Sequence, residues 1–274
     1  MAYKEDIEGT HQNTEKPLAV MQARNLTFSY DGVTNVIEHL DLDVWEGKIT
    51  VLLGANGCGK STLFKLMTKN LFPDDGETLL YGNDADDMGL KEFARNVAIV
   101  HQNNTAPPDL TVETLVGYGR TPYLNAFQTA GGKEDEEAIR WAMDVTNVTK
   151  YRKRQVSQLS GGQRQRAWIA MALAMKTSIL YLDEPTSFLD VRYQIEILKL
   201  VRSLNRDYGI TIIMVLHDIN QAMEYADILV GMKGGRIIAE GNPREIVTPE
   251  LLETLYGIRL PMIETGGRKF VLTV

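Results

Sequence analysis

A single cysteine, Cys58, stands in 274 residues. No disulfide can form within the chain, and a reducing, cytoplasmic setting suits it. Long apolar runs are missing too. The most apolar stretches, residues 168–175 and 210–216, are far too short to span a bilayer. Basic residues are outnumbered, 29 Lys and Arg against 36 Asp and Glu, for a formal charge of −7. A chain this acidic is a poor candidate for general nucleic-acid binding, and no nucleic-acid partner is expected. Histidines number four, and His11, His39 and His101 form no metal-ligand spacing. Residues 1–17 are polar and acid-leaning, which suits neither a signal peptide nor an anchor, and read as a disordered tail. Any work at a membrane is expected to come through partners.

With 44% hydrophobic and 24% charged residues, the chain is neither mainly disordered nor fibrous. From Leu18 the pattern is that of strands. Residues 20–30 are strand-like, and Leu40, Leu42 and Val44 alternate with acidic residues as on a half-buried strand. Residues 48–53 form a short apolar run of the kind buried in mid-sheet. A helical pattern over 60–69 and a strand over 96–101 follow. From about 103 to 158 strand signals fade, leaving helices over 112–118 and 134–148, the latter with Ile139, Met143 and Val148 on one side. Alternation returns with a helix over 161–175, a strand over 179–182, a helix over 191–205 and a strand over 210–216. Strands separated by helices predict a parallel α/β sheet with right-handed crossovers, interrupted by an inserted helical subdomain.

Chemistry is concentrated in three places. Gly54-Ala55-Asn56-Gly57-Cys58-Gly59-Lys60-Ser61 fits G-x-x-x-x-G-K-[ST] between a strand and a helix. Converging backbone N–H groups must meet triphosphate oxygens there, so glycines stand where side chains would block approach. Lys60 reaches the β/γ phosphates and Ser61 offers a hydroxyl to Mg²⁺. Such a loop needs a carboxylate from another buried strand. Ile179-Leu180-Tyr181-Leu182-Asp183-Glu184 supplies Asp183 for the metal and Glu184 to polarise water, unless both acids merely cap the following helix. Third, Leu159-Ser160-Gly161-Gly162-Gln163 opens a helix with a serine and two glycines, a second anion-binding N-terminus. A chain with one phosphate loop has no obvious need of it. If the helical insertion holds it apart, it would serve a nucleotide on another subunit.

These motifs, in this order, resemble those of the ATP-binding cassette proteins, with similarity from about Met21 to Glu240. The resemblance implies a P-loop NTPase (RecA-like) parallel-sheet core, an N-terminal antiparallel β subdomain and a helical subdomain inserted at about 103–160. One ATPase domain would then occupy 18–274. It also implies a head-to-tail homodimer holding two ATP molecules, each between one chain's phosphate loop, with Thr62 beside it, and the other's Ser160, Gly161, Gly162 and Gln163. Tyr30 is similar to the adenine-stacking aromatic, and Gln102 to the glutamine that senses Mg²⁺ and the γ-phosphate. Ser187-Phe188-Leu189-Asp190 resembles the loop that crosses the dimer interface, with Phe188 where the family usually has a smaller residue. His217 matches the histidine that contacts the γ-phosphate. Lys60, Glu184 and His217 are thus the expected catalytic residues, with Ser61, Gln102 and Asp183 toward the metal.

One subgroup fits more closely: the ATPases of bacterial importers for ferric siderophores, haem and cobalamin. It is similar in Gly119-Arg120-Thr121-Pro122-Tyr123, in Val215-Leu216-His217-Asp218-Ile219-Asn220-Gln221-Ala222 and in Gly241-Asn242-Pro243-Arg244-Glu245-Ile246-Val247. That implies a peripheral protein on the cytoplasmic face of the membrane, partnered by two integral permease subunits and an extracytoplasmic substrate-binding protein. The alternatives are a superfamily ATPase acting on ribosomes or DNA, and a regulator that never turns over. One phosphate loop, no long heptad run and an acidic balance speak against the former; Glu184 and His217 speak against the latter. Lys150-Tyr151-Arg152-Lys153-Arg154 is a basic cluster that reads as a solvated turn or a docking patch.

Overall fold

A computed structural model describes residues 18–124 and 132–273, so the tail expected over 1–17 lies outside the described residues. The described chain opens with β1 (Ala19–Ser29) and β2 (Asn35–Trp45), paired antiparallel. On β2, Leu40, Leu42 and Val44 are buried between acidic neighbours, the alternation that fixes which face meets the core. β3 (Ile49–Leu53) is buried along its whole length and feeds the glycine-rich loop and α1 (Lys60–Met67). β4 (Asp75–Leu80) and β5 (Asn83–Asp84) complete a sheet of order β2-β1-β4-β5. After α2 (Leu90–Ala94) comes β6 (Val97–Val100).

Between β6 and the next strand, the regular elements among the described residues are all helical. They are α3 (Val112–Gly117), α4 (Lys133–Val145) and α5 (Gly161–Ala174), with short 3-10 turns between them. Then follow β7 (Ile179–Asp183), α6 (Val191–Tyr208), β8 (Thr211–Val215), α7 (Ile219–Tyr225), and the hairpin of β9 (Ile228–Lys233) and β10 (Arg236–Gly241). Two helices, α8 (Pro243–Ile246) and α9 (Pro249–Tyr256), and a hairpin of β11 (Met262–Thr265) and β12 (Arg268–Val271) finish the described chain.

The main sheet has the order β10-β9-β3-β8-β7-β6, parallel throughout except for the β10 edge. Its strands alternate between two apolar layers. Val51, Leu53, Leu180, Leu182, Ile212 and Met214 join the helices α3 to α7 on one side. Leu52, Ile179, Tyr181, Ile213 and Val215 join α1 and the antiparallel sheet on the other. Both faces are covered, which is why these strands read as continuous apolar runs.

Two helix ends differ from the sequence expectation by three residues. The helix expected over 134–148 stops at Val145, because the Thr146 hydroxyl donates to the Ala142 carbonyl at 2.8 Å and Asn147 turns to φ 57. The helix expected to end at 205 runs on to Tyr208 and closes at Gly209, φ 69. Asn205 does not break it, since its amide reaches out to the Gly47 and Ile210 carbonyls, each at 2.9 Å.

The 3-10 turn Tyr118–Tyr123 packs onto α5, with Arg120 buried against Asp135 at 2.7 Å and donating to the Ala174 carbonyl at 2.8 Å. A Cβ at Gly119 would lie 2.1 Å from the Met171 carbonyl oxygen. Backbone cannot retreat as a side chain can. Gly119→Ala is therefore expected to cost about 2–3 kcal/mol, read as a lower urea midpoint at unchanged slope.

Candidate functional site

The phosphate loop runs from β3 to α1. Gly59 caps the helix at φ 107, and a Cβ there would meet Ile37 Cδ1 at 2.9 Å and the Val36 carbonyl oxygen at 3.0 Å. Gly54 is under a harder constraint, with Met232 oxygen 2.3 Å from its would-be Cβ. Asn56 and Gly57 are exposed at the loop tip, Cys58 is buried beneath it, and Ser61 is exposed at the start of α1. Lys60 is only 5% exposed. Its Nζ donates to the Gly54 carbonyl at 2.7 Å and the Ala55 carbonyl at 3.0 Å, and lies 3.7 Å from Cys58 Sγ. No carboxylate among the described residues forms an ion pair with it. A buried ammonium without a counter-ion, at a helix N-terminus, favours an anion. Tyr30 stands 59% exposed nearby, its hydroxyl 3.3 Å from the Thr62 hydroxyl and its ring edge-on to Phe28.

A second group of predicted residues converges at the ends of β6, β7 and β8. Glu184 Oε2 accepts from the Gln102 amide and, at 2.8 Å, from the Ser187 hydroxyl. His217 Nε2 lies 2.5 Å from Glu184 Oε1. Glu184 itself sits at φ 48, a strained conformation for a side-chain-bearing residue. Asp183 Oδ1 is buried without a hydrogen-bond partner. Burial raises the Asp183 carboxyl above its usual range, the adjacent Glu184 charge adds to the rise, and His101, Lys65 and His217 oppose it.

The remaining predicted residues form another cluster. Ser160 caps α5 with its hydroxyl, and the Gln163 side chain returns a bond to the Ser160 N–H at 3.1 Å, a capping box. Would-be Cβ atoms at Gly161 and Gly162 lie 3.2 Å from Leu189 Cδ2 and 2.4 Å from Tyr193 Cδ1. Asp190 caps α6, accepting from the Tyr193 N–H at 3.1 Å. No hydrogen bond or ion pair among the described residues links 160–163 to the phosphate loop. Phe188, where the family pattern is broken, is 89% exposed at φ 61.

Sequence reading passed over Ser187 as a partner of Glu184 and gave His101 no role. The three-residue spacing from Glu184 to Ser187 is a signal for the first. His101 comes near Asp183 only through the fold, so nothing in the sequence marks it.

The ABC transporter family profile matches residues 37–187. The chain belongs to the ABC transporter family. It is 45% identical to the ferric enterobactin transport ATP-binding protein FepC of Escherichia coli over 90% of both chains. With the iron(3+)-hydroxamate import ATP-binding protein FhuC of Bacillus subtilis it shares 43% identity over 81% of this chain and 82% of that one. Among solved structures, the dimeric MJ0796, a bacterial ABC transporter cassette, superposes with a TM-score of 0.71 at 26% identity, covering 82% of this chain and 100% of that one. The fold is accordingly the P-loop NTPase fold of ABC cassettes, which bind ATP, and the chain is a transport ATPase.

For Mg²⁺ the residues fit. Among the described residues no group of three or more His, Cys, Asp and Glu side chains could hold a metal by itself. Mg²⁺ in nucleotide sites is held by one or two protein oxygens plus phosphates and water, and the unpartnered Asp183 oxygen suits that part. A carboxyl raised by folding stays protonated where the unfolded chain has already released its proton, so stability falls as pH rises from the ordinary aspartate range. Asp183→Asn is expected to raise the melting temperature of nucleotide-free protein at neutral pH by about 2–4 °C. The gain should shrink as pH falls toward about 4, and thermal stabilisation by Mg²⁺ with ATP should be lost.

Proposed function

We propose that this chain hydrolyses ATP as one half of a homodimer and that its closing and opening power the import of a ferric siderophore. The observation that carries the catalytic part is the Glu184 carboxylate, held on three sides by Gln102, Ser187 and His217 beside the unpartnered Asp183 oxygen. Support for the cargo is that FepC and FhuC are named for ferric enterobactin and iron(3+)-hydroxamate. No observation favours the ribosome or DNA alternative.

In this reading Lys60 and the loop amides of Gly57, Gly59 and Ser61 bind the β/γ phosphates, with Gly54, Asn56 and Cys58 shaping the loop and Tyr30 stacking on adenine. Ser61, Asp183 and Gln102 would hold Mg²⁺, which when bound would neutralise phosphate charge. Glu184 takes the proton of the attacking water, and its strained backbone and three partners keep the carboxylate aimed. His217 bonds both Glu184 and the γ-phosphate. Ser160, Gly161, Gly162 and Gln163 complete the nucleotide site of the second copy, aided by Asp190. Two things support that division: the two clusters are not bonded to each other within one chain, and the MJ0796 cassette is dimeric. ATP then closes the interface and hydrolysis opens it.

The chain would act at the cytoplasmic face of the membrane with two integral permease subunits and an extracytoplasmic substrate-binding protein. No helix of the described residues is long and apolar enough to cross a membrane, so the path for the iron chelate would come from those partners. The helical stretch from about 103 to 160 would grip the permease.

Glu184→Gln is expected to keep ATP binding, trap an ATP-bound dimer and lower turnover at least about a hundredfold; steady-state ATPase at the parent rate would sink the assignment. Lys60→Ala should instead weaken ATP binding about tenfold or more, seen by titration. For the cargo, cells carrying Glu184→Gln in place of the parent chain should lose uptake of radio-iron bound to a siderophore while keeping other iron entry. Loss of haem or cobalamin uptake alone would move the cargo to those ligands.

A further inference from the structure

The basic run 150–154 finds a place beside the Ser160–Gln163 segment. Tyr151 ends the 3-10 turn Thr149–Tyr151, and its hydroxyl accepts from Gln163 Nε2 at 3.0 Å. Gln163 is thereby used from both ends. Its Nε2 is held by Tyr151, and its Oε1 is turned to accept from the Ser160 N–H at 3.1 Å. Lys150 and Arg154 lie over the Tyr151 ring, 5.1 and 5.3 Å from its centroid. Cations over an aromatic ring are attracted by its quadrupole, so the pair restrains the ring that restrains the glutamine. Arg152 is drawn away to Glu113 at 2.8 Å.

From this we infer that Tyr151 is a positioning residue for ATP-driven dimer closure, acting through Gln163 to set the N-terminus of α5. A free glutamine side chain can rotate away; tethered by the Tyr151 hydroxyl, it stays where the Ser160 N–H, which can only donate, takes its oxygen. That closes the capping box and leaves the Ser160 hydroxyl and the remaining first-turn N–H groups of α5 oriented together toward an anion. The far side of the same turn is already immobile, because Gly162 packs under Tyr193 without room for a Cβ. Tyr151 holds the same turn through the Gln163 side chain. The inference rests on the reading that residues 160–163 meet a nucleotide bound to a second copy.

The test uses the full chain in the Glu184→Gln background, with dimer formation followed by analytical ultracentrifugation as ATP and Mg²⁺ are raised. Adding Tyr151→Phe removes one oxygen and keeps the ring. The expected result is a three- to tenfold higher ATP concentration at the dimerisation midpoint, the scale of one lost hydrogen bond. Binding of a fluorescent ATP analogue to the monomer should be unchanged, since the phosphate loop is untouched. Tyr151→Phe combined with Gln163→Ala should be no worse than Gln163→Ala alone, because the tyrosine acts through the glutamine. An unshifted midpoint, full additivity with Gln163→Ala, or an equal loss of monomer binding would each overturn the proposal. A Glu184→Gln parent that stays monomeric at saturating ATP would overturn the dimer reading itself, and this inference with it.

Discussion

Because β6, β7, β8 and β3 run parallel and in register, with Val100 opposite Leu182, Asp183 opposite Val215 and Val215 opposite Leu52, their ends share one edge of the sheet. Gln102, Glu184, His217 and the phosphate loop each begin within a few residues of that edge. Parallel pairing demands crossovers long enough to return to the other edge, and the helices that supply them cover both faces. Polar side chains are left one place to gather, the crevice beyond the strand ends. The convergence of residues as far apart in sequence as 102, 184 and 217 follows from strand direction before any side chain is considered.

That edge is electrically unfinished. Lys60 is buried with loop carbonyls for company, and Asp183 carries a buried oxygen that nothing in the described chain satisfies. Each group opposes folding alone, and the backbone at Glu184 adds a conformational cost of about 1–3 kcal/mol. A protein selected only for stability would replace all three. Such groups persist where an anion and a cation arrive together, and a magnesium nucleotide is that kind of ligand. The apolar layers on either side of the sheet, with Tyr181 and Phe64 fully buried and edge-on at 5.4 Å, supply the rigidity that holds these groups in place.

Much of this was legible in the sequence because the constraints are local. Gly54 and Gly59 are read from spacing alone, since a Cβ at either would strike neighbouring atoms. Asp183 and Glu184 announce themselves as acids at the end of an apolar strand. The strand-rich C-terminal region was harder: β9 and β10 carry no sharp turn motif beyond Gly234 and Gly235, and β10 is half-exposed. His101 and Tyr151 were invisible for a different reason. Asp183 comes near the first, and Gln163 bonds the second, only through tertiary packing, and no periodicity encodes either meeting. The basic run around Tyr151 reads in sequence as a solvated turn or a docking patch; in space two of its cations lie over the aromatic ring between them.

The loop from Glu184 to Asp190 joins the two clusters within one chain. Glu184 at one end belongs with Gln102 and His217; Leu189 and Asp190 at the other belong with Gly161 and the start of α6. Two of its residues, Glu184 and Phe188, sit at positive φ, so the path is tightly folded rather than slack. A short strained connection transmits displacement better than a loose one, because few torsions are available to absorb it. Phe188, almost wholly in solvent at the middle of this loop, is an aromatic with no packing role in its own chain. The loop that starts at the Glu184 carboxylate therefore also presents, among the described residues, the most exposed aromatic ring. Seven residues thus join the Glu184 end of this loop to the start of α6.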